Sequence, residues 1–261
     1  MYQGGYQQRL FLLKLWVRRE LRTSYAGTAG GLLWAILSPL LTIGIYYLVF
    51  AVVLQVRIPQ LATAGGFFFY LLSGLLPWLA TNQGLTKAAN SLLAHESFLR
   101  RHGFPVEILP ATAVIVGLVP QLVGTLILFV LLLINTGGMP GPWWLLPLVL
   151  AGQLLLVGGL GSVLSVFALH LKDTTQVLPS LLRLLFYCSP ILYSKSLVPE
   201  DFHWLFLLNP FACMAQMYHG VILGFEVTLA EIIGFLLWTL ILGGGGLLLF
   251  RRLGESLGEA D

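Results

Sequence analysis

Charge is scarce in this chain, and the scarcity decides its solvent. Asp, Glu, Lys and Arg make up 10% of the 261 residues against 57% hydrophobic ones, and the mean hydropathy is +0.88. That balance lies far outside the mixture of a water-soluble domain. The apolar runs also lack alternation. In lipid the backbone must satisfy its own hydrogen bonds, so long unalternating runs fit helices and exclude the strands of an outer-membrane barrel. Further absences narrow the chemistry. There is no Gly-x-x-x-x-Gly-Lys-Ser/Thr sequence, which excludes nucleotide hydrolysis by that route on this chain. Glu231 sits near an expected interface and the other acids fall in loops or tails, so the spans lack the carboxylates of an ion-coupled carrier. His95, His102, His170, His203 and His219 form no zinc pattern, and no nucleophile–base arrangement stands out, so neither catalytic residues nor metal ligands are assigned. The two cysteines, Cys188 and Cys213, lie in apolar surroundings without metal or redox spacing and read as buried thiols.

What the sequence has in abundance is membrane-length apolar runs. Residues 32–54 carry no charge, and about 20 apolar helical residues cross a hydrocarbon layer. Arg57 and Pro59 mark a short loop, and residues 62–85 lead back, with Pro77 predicting a kink. A polar stretch over 87–107 precedes a third span over 108–134. Trp143 and Trp144 open a fourth at a position suited to an interfacial aromatic belt, and it ends at His170-Leu171-Lys172-Asp173. Residues 177–194 form a short fifth, interrupted by Pro179 and Pro190.

The first thirty residues predict an interface helix rather than a cleavable signal, because no small-residue cleavage site ends a short apolar core. Lys14, Arg18 and Arg22 recur at four-residue spacing beside Leu10, Leu13, Val17 and Leu21, with Phe11 and Trp16 adding aromatic bulk. That pattern belongs to a helix lying in the headgroup layer.

Residues 204–225 are long enough to cross, yet contain Asn209-Pro210, Gln216 and His219. If they cross, there are seven spans, with four basic residues outside and nine inside. If they re-enter on the same face, Arg9, Lys14, Arg18, Arg19, Arg22, Lys87, Arg100, Arg101, Lys172, Arg251 and Arg252 lie inside and only Arg57 and Lys195 outside. Eleven against two is the better match to the positive-inside rule. The expected fold is therefore an all-α membrane protein of six transmembrane helices. An amphipathic amino-terminal interface helix occupies 1–30, and an outer-face re-entrant hairpin at about 195–228 lies between helices five and six. Both termini are cytoplasmic. The net charge of +3 and pI near 9.0 serve lipid headgroups and topology, and without a basic–aromatic patch no nucleic acid is expected.

Arg183 falls within the fifth span, where a charge costs about 2.5–3.5 kcal/mol unless it meets water, protein or ligand. It either snorkels to the nearby turn or faces inward. Tyr187 follows one helical turn later and Tyr193 comes after Pro190. Arg183, Tyr187 and Tyr193 are candidates to line a sugar-conducting path, since pyranose faces stack on aromatic rings while hydroxyls exchange hydrogen bonds. Asn82, Gln83, Asn90 and Ser91 either bond across helices, the preferred reading, or line a wet vestibule. The run Gly243 to Gly246 and the group Gly158, Gly159 and Gly161 read as packing surfaces.

A set of short motifs runs along nearly the whole chain. It comprises Arg19-Glu20-Leu21-Arg22, Gly30-Gly31-Leu32-Leu33-Trp34 to Ser38-Pro39-Leu40, and Tyr70-Leu71-Leu72-Ser73-Gly74-Leu75-Leu76-Pro77-Trp78. It continues through Ala88-Ala89-Asn90-Ser91, Phe104-Pro105 with Glu107-Ile108-Leu109-Pro110, and Lys172-Asp173 with Gln176. Phe186-Tyr187-Cys188-Ser189-Pro190, Val198-Pro199-Glu200 and Leu208-Asn209-Pro210 complete it. Together these resemble the membrane subunits of ABC-2-class polysaccharide exporters, the O-antigen, capsule and teichoic-acid export permeases. Val106 departs from the family, which often has a basic residue there.

The resemblance implies a homodimeric permease in the bacterial inner membrane, with two separate ABC ATPase subunits binding ATP and Mg. The implied cargo is a polysaccharide on a polyprenyl-diphosphate lipid. This chain would itself be no enzyme and carry no cofactor. The loop over 87–107 would seat a coupling helix on the ATPase, with Glu96, Arg100 and Arg101 as contacts, and the segment after the fifth span would form the outer gate. Arg18, Arg19 and Arg22 are candidates to attract the lipid diphosphate, because guanidinium pairs with phosphate bidentately. Anionic-lipid anchoring accounts for them equally. A drug or small-lipid exporter of the same class, or a non-transporting assembly scaffold, are the rival readings.

Overall fold

The computed structural model describes residues 6–23, 33–53, 55, 66–99 and 104–258, and among these every regular element is helical. Helix α1 (Tyr6–Thr23) is followed by α2 (Leu33–Tyr47), which continues into a π turn (Leu48–Val53), and by α3 (Gly66–Ala94) with the short α4 (Glu96–Leu99). Helix α5 (Ile108–Thr136) ends at Gly137, whose left-handed φ of 70° lets its N–H return to the Leu133 carbonyl. A 3-10 turn at Trp143–Leu145 leads into α6 (Leu146–His170), then α7 (Asp173–Tyr187). The short α8 (Trp204–Leu208) and α9 (Pro210–Leu223) follow. Helix α10 (Leu229–Trp238) passes through a π segment (Thr239–Gly245) into α11 (Gly246–Gly258).

Three of these stretches are long and apolar enough to cross a membrane: Ile108–Thr136, Trp143–His170 and Leu229–Leu253. A fourth exists if Glu200–Leu208 and Pro210–Leu223, which meet at 107°, are one broken span. The six expected spans therefore do not all stand out by length. Helix α7 has only 15 residues. Helix α3 has 29 and runs through Pro77, but Asn82, Gln83, Lys87 and Asn90 make its second half polar. The loop with Arg57 and Pro59 lies outside the described residues.

Helix α3 is the hub, packing on α5, α6, α7 and α9. At one end of the bundle, Leu92 of α3, Ile108 and Leu109 of α5, Val166 of α6 and Phe250 of α11 close around Trp16 of α1. This end carries Arg9, Lys14, Arg18, Arg19, Arg22, Lys87, Lys172, Arg251 and Arg252 on the elements that meet there or on the turns next to them, and we call it the basic end. At the opposite end Phe129 of α5 packs edge-on against Trp143, and the Trp143 indole donates to the Ile222 carbonyl of α9 at 3.0 Å. Trp144, beside it, is 78% exposed.

Of the glycine groups, Gly159, Gly161, Gly243 and Gly246 are closely packed, while Gly158 and Gly244 face open space. A Cβ on Gly159 would meet the Gly243 Cα at 2.5 Å, and one on Gly243 would meet the Leu155 carbonyl oxygen at 2.7 Å, so α6 and the π segment cross backbone to backbone. Cys213 is buried, but Cys188 is exposed, against the expectation of two buried thiols. The cause is that α7 buries only the stripe Leu178, Leu182 and Phe186, and Cys188 follows outside it.

Candidate functional site

Helix α1 packs onto the bundle through Trp16. Trp16 is 8% exposed, and its ring packs edge-on against His95 at 5.3 Å and Phe98 at 5.2 Å, with Phe104 tilted at 5.8 Å. Two ion pairs flank this aromatic cluster: Arg9 to Glu107 at 2.9 Å and Lys87 to Glu20 at 3.5 Å. The interface helix and both ends of the polar stretch over 87–107 therefore form one packed unit. The buried face of α1 centres on Trp16 with Leu12 and Leu13 packed beside it, whereas Leu10, Phe11 and Leu15 are exposed; of the expected stripe, Leu13, Val17 and Leu21 are half-buried.

The candidate anion-binding arginines separate. The Arg19 guanidinium lies 5.1 Å from the Trp16 ring centroid, a cation–π contact that gives it a packing role. Arg18 and Arg22 are exposed, and Arg22 sits in the last turn of α1, where the helix dipole favours a cation. Glu96 is exposed at the first turn of α4. Arg100 and Arg101 lie outside the described residues.

Helix α7 turns a polar face away from its own bundle. Gln176, Ser180, Arg183 and Tyr187 recur at spacings of four, three and four, which is one helical stripe, and all four are exposed. Tyr193, beyond the helix, is half-buried and donates to the Tyr187 carbonyl at 3.2 Å. The structure thus brings Tyr193 to the top of the Arg183–Tyr187 stripe.

The bent segment is bonded on several sides. Asn209 caps α9 by accepting from the Phe211 N–H at 3.0 Å, and its amide donates to the Leu185 carbonyl and the Ser189 hydroxyl of the α7 end, each at 3.0 Å. Pro210 occupies the first helical position, where its missing N–H costs nothing. Every residue of α9 except Met217 is buried, which suits a helix shielded from lipid. His219 stacks on Tyr70 at 4.0 Å, meets the Ser73 hydroxyl at 2.8 Å and donates to the Pro190 carbonyl at 3.1 Å. The Tyr70 hydroxyl bonds Pro190 and Tyr193 carbonyls at 2.7 and 2.9 Å. Lys195 pairs with Glu231 at 2.7 Å, and Glu231 completes the capping box with Thr228 that starts α10.

The interhelical amides that sequence reasoning missed are Gln121 and Gln153. They exchange two hydrogen bonds of 2.9 Å, the Tyr218 hydroxyl of α9 bonds both, and Gln153 also reaches the Pro77 carbonyl at 3.1 Å. One network thus ties α3, α5, α6 and α9. The signal was an isolated glutamine inside each of two otherwise apolar runs. The expected Asn90 and Ser91 instead bond carbonyls of their own helix, Thr86 and Ala88. The Ser73 hydroxyl and the His219 ring that meet in this arrangement are both fully buried.

The family model described as ABC-2 type transporter matches residues 12–223. An O-antigen export system permease protein RfbA of Klebsiella pneumoniae is 30% identical over 99% of this chain and 97% of its own length. A protein of the same name from Myxococcus xanthus is 29% identical over 83% of this chain and 81% of its own. The polysialic acid transport protein KpsM of Escherichia coli is 25% identical over 98% of this chain and 99% of its own.

Proposed function

This chain belongs to the ABC-2 type transporter family, and on that premise we propose that it is the permease subunit of an ATP-driven exporter of polyprenyl-diphosphate-linked polysaccharide. The observation that carries the reading is near-complete coverage of both this chain and an O-antigen export permease at 30% identity, so the likeness is to a whole permease. ATP and Mg bind a separate ATPase, two copies of which sit below a homodimer of this chain in the bacterial inner membrane, with both termini cytoplasmic. The basic end faces the cytoplasm, as the positive-inside rule requires.

Six spans with a re-entrant gate remain the preferred topology. Lys195, ahead of the bent segment, is paired to the start of α10, and Ile222, near its end, is bonded to Trp143 at the start of α6. Both limbs are thereby tied to elements of the same end of the bundle, and a helix buried nearly all round is not a lipid-facing span. The exposed stripe of Gln176, Ser180, Arg183 and Tyr187, with Tyr193 above it, supports a conduit between two copies, where ring faces and hydroxyls meet sugar.

Force from the motor enters at the loop over 87–107 through Glu96, Arg100 and Arg101. Because this loop is packed with α1 around Trp16, the two move together, and Arg18 and Arg22, exposed on the same unit, are placed to draw in the lipid diphosphate. Nucleotide biases the channel only through its differential affinity for two arrangements of the permease dimer.

The test is ATP-dependent translocation of polyprenyl-linked glycan in vesicles containing this chain and its ATPase, compared with Arg100→Glu/Arg101→Glu. Loss of both export and ATPase association supports the reading. Export without an ATPase, or no glycolipid handled by the intact pair, overturns it in favour of a scaffold or a small-molecule exporter.

A further inference from the structure

Beyond α7 the chain turns through Ser189, Pro190, Ile191 and Leu192, and all four are buried. A buried carbonyl outside a helix needs a donor from elsewhere, and here two side chains supply them. The Tyr70 hydroxyl of α3 lies 2.7 Å from the Pro190 carbonyl oxygen and 2.9 Å from that of Tyr193. One phenolic proton serves one carbonyl at a time. His219 of α9 brings the second donor, its Nε2 lying 3.1 Å from the Pro190 carbonyl. Because a carbonyl only accepts, Nε2 carries the proton, and Nδ1 of the neutral ring accepts from the Ser73 hydroxyl at 2.8 Å. Two donors thus meet two acceptors. The rings of Tyr70 and His219 stack at 4.0 Å and 9°, and Gly74 leaves the space for this, since a Cβ there would meet His219 Cε1 at 2.9 Å.

This cluster differs from the Gln121–Gln153 pair in what it holds. The glutamines tie helix to helix, whereas Tyr70 and His219 direct their donors at one non-helical corner. That corner carries Tyr193, whose hydroxyl donates to the Tyr187 carbonyl at the end of the exposed α7 stripe. Tyr70 is 2% exposed and His219 is fully buried, so neither can touch a molecule passing along the stripe. They touch the backbone that presents the residue that can.

We infer that Tyr70 and His219 are positioning residues for transport, fixing the Pro190–Tyr193 corner so that the Tyr193 ring meets sugar beside Tyr187. A ring stacks on a pyranose only at contact distance and in the right orientation, so a small displacement of the corner costs more than its bonds alone. The inference rests on the reading of the α7 stripe as the path of the glycan.

The experiment is ATP-dependent export of polyprenyl-linked glycan by vesicles holding this chain and its ATPase, at equal amounts of monodisperse protein, for Tyr70→Phe, Tyr193→Ala and Tyr70→Phe/Tyr193→Ala. Tyr70→Phe is expected to slow export about fivefold, the equivalent of one lost hydrogen bond, and to add nothing once Tyr193 is alanine. His219→Leu is expected to slow export in the same way, and His219→Gln, which keeps an N–H donor, to regain most of the loss. The same His219 variants in the Tyr193→Ala background decide the question if Tyr70→Phe does not fold. Equal fractional losses with and without the Tyr193 ring overturn the positioning role alone and leave Tyr70 and His219 to stability. Native export by Tyr70→Phe and His219→Leu overturns it as well. Native export by Tyr193→Ala overturns the sugar contact at Tyr193, and the positioning role with it.

Discussion

The Asn209 side-chain amide donates to the Leu185 carbonyl at 3.0 Å, fastening the 107° bend to the last turn of α7. The same side chain caps α9. One residue therefore both starts α9 and ties the turn to the end of α7.

Asn209→Ala removes the cap and both bonds to α7, and is expected to destabilise the protein by about 2–3 kcal/mol. Asn209→Asp keeps the cap but cannot donate to the Leu185 carbonyl, so its loss should be intermediate. Chemical unfolding in detergent, followed by helical circular dichroism, ranks the three proteins. Equal stability of Asn209→Asp and the native chain would show that the cap alone matters.

The Gln121–Gln153 pair predicts strong non-additivity. Gln153→Leu leaves Gln121 and Tyr218 short of partners in the core and is expected to cost about 2–4 kcal/mol, whereas Gln121→Leu/Gln153→Leu should cost less than the sum of the single changes. A double-mutant cycle on unfolding free energy measures the difference. Additive costs would mean that the two amides act independently.

Glu231 is 2% exposed and Lys195 is the cation paired with it. Lys195→Met strands a buried carboxylate and is expected to destabilise by about 3–5 kcal/mol, while Lys195→Met/Glu231→Gln should recover much of that. Midpoints of thermal unfolding compare the two. Failure of the double variant to recover would place the role of Lys195 in its stem packing rather than its charge.

At the crossing of α6 with the π segment, a Cβ on Gly159 or Gly243 would overlap backbone, whereas one on Gly158 or Gly244 would meet nothing within 4 Å. Gly159→Val is expected to abolish folded protein. Gly244→Ala should be tolerated, with a stability change of at most about 1 kcal/mol. Monodispersity after detergent extraction distinguishes them.

The three arginines of α1 should part company. Arg19→Ala loses its contact with the Trp16 ring and is expected to lower stability by about 0.5–1 kcal/mol. Arg18→Ala/Arg22→Ala should lower stability by no more than about 0.5 kcal/mol, the loss of Arg22 from the helix C-terminus, and weaken capture of polyprenyl-diphosphate glycolipid severalfold at low salt, less at high salt. Binding of the glycolipid to purified protein at two ionic strengths checks both. Unchanged capture would leave Arg18 and Arg22 to the headgroups of ordinary lipid.

The membrane class, the helical fold and the grouping of cations at one end follow from the sequence by itself, because apolar run length and the placement of Lys and Arg are one-dimensional properties that the bilayer reads directly. Asn209-Pro210 was legible as a break in the run over 204–225, but that it caps α9 came from the structure. Pairing was not legible. That Gln121 finds Gln153, that Trp16 seats on His95 and Phe98, that Lys195 finds Glu231, and that Asn90 bonds its own helix rather than a neighbour depend on which helix faces lie against each other. In a chain where nearly every face is apolar, hydrophobicity does not choose those faces. Close backbone approach at Gly159 and Gly243, together with the satisfaction of a few buried polar groups, makes that choice, and only the tertiary structure decided it.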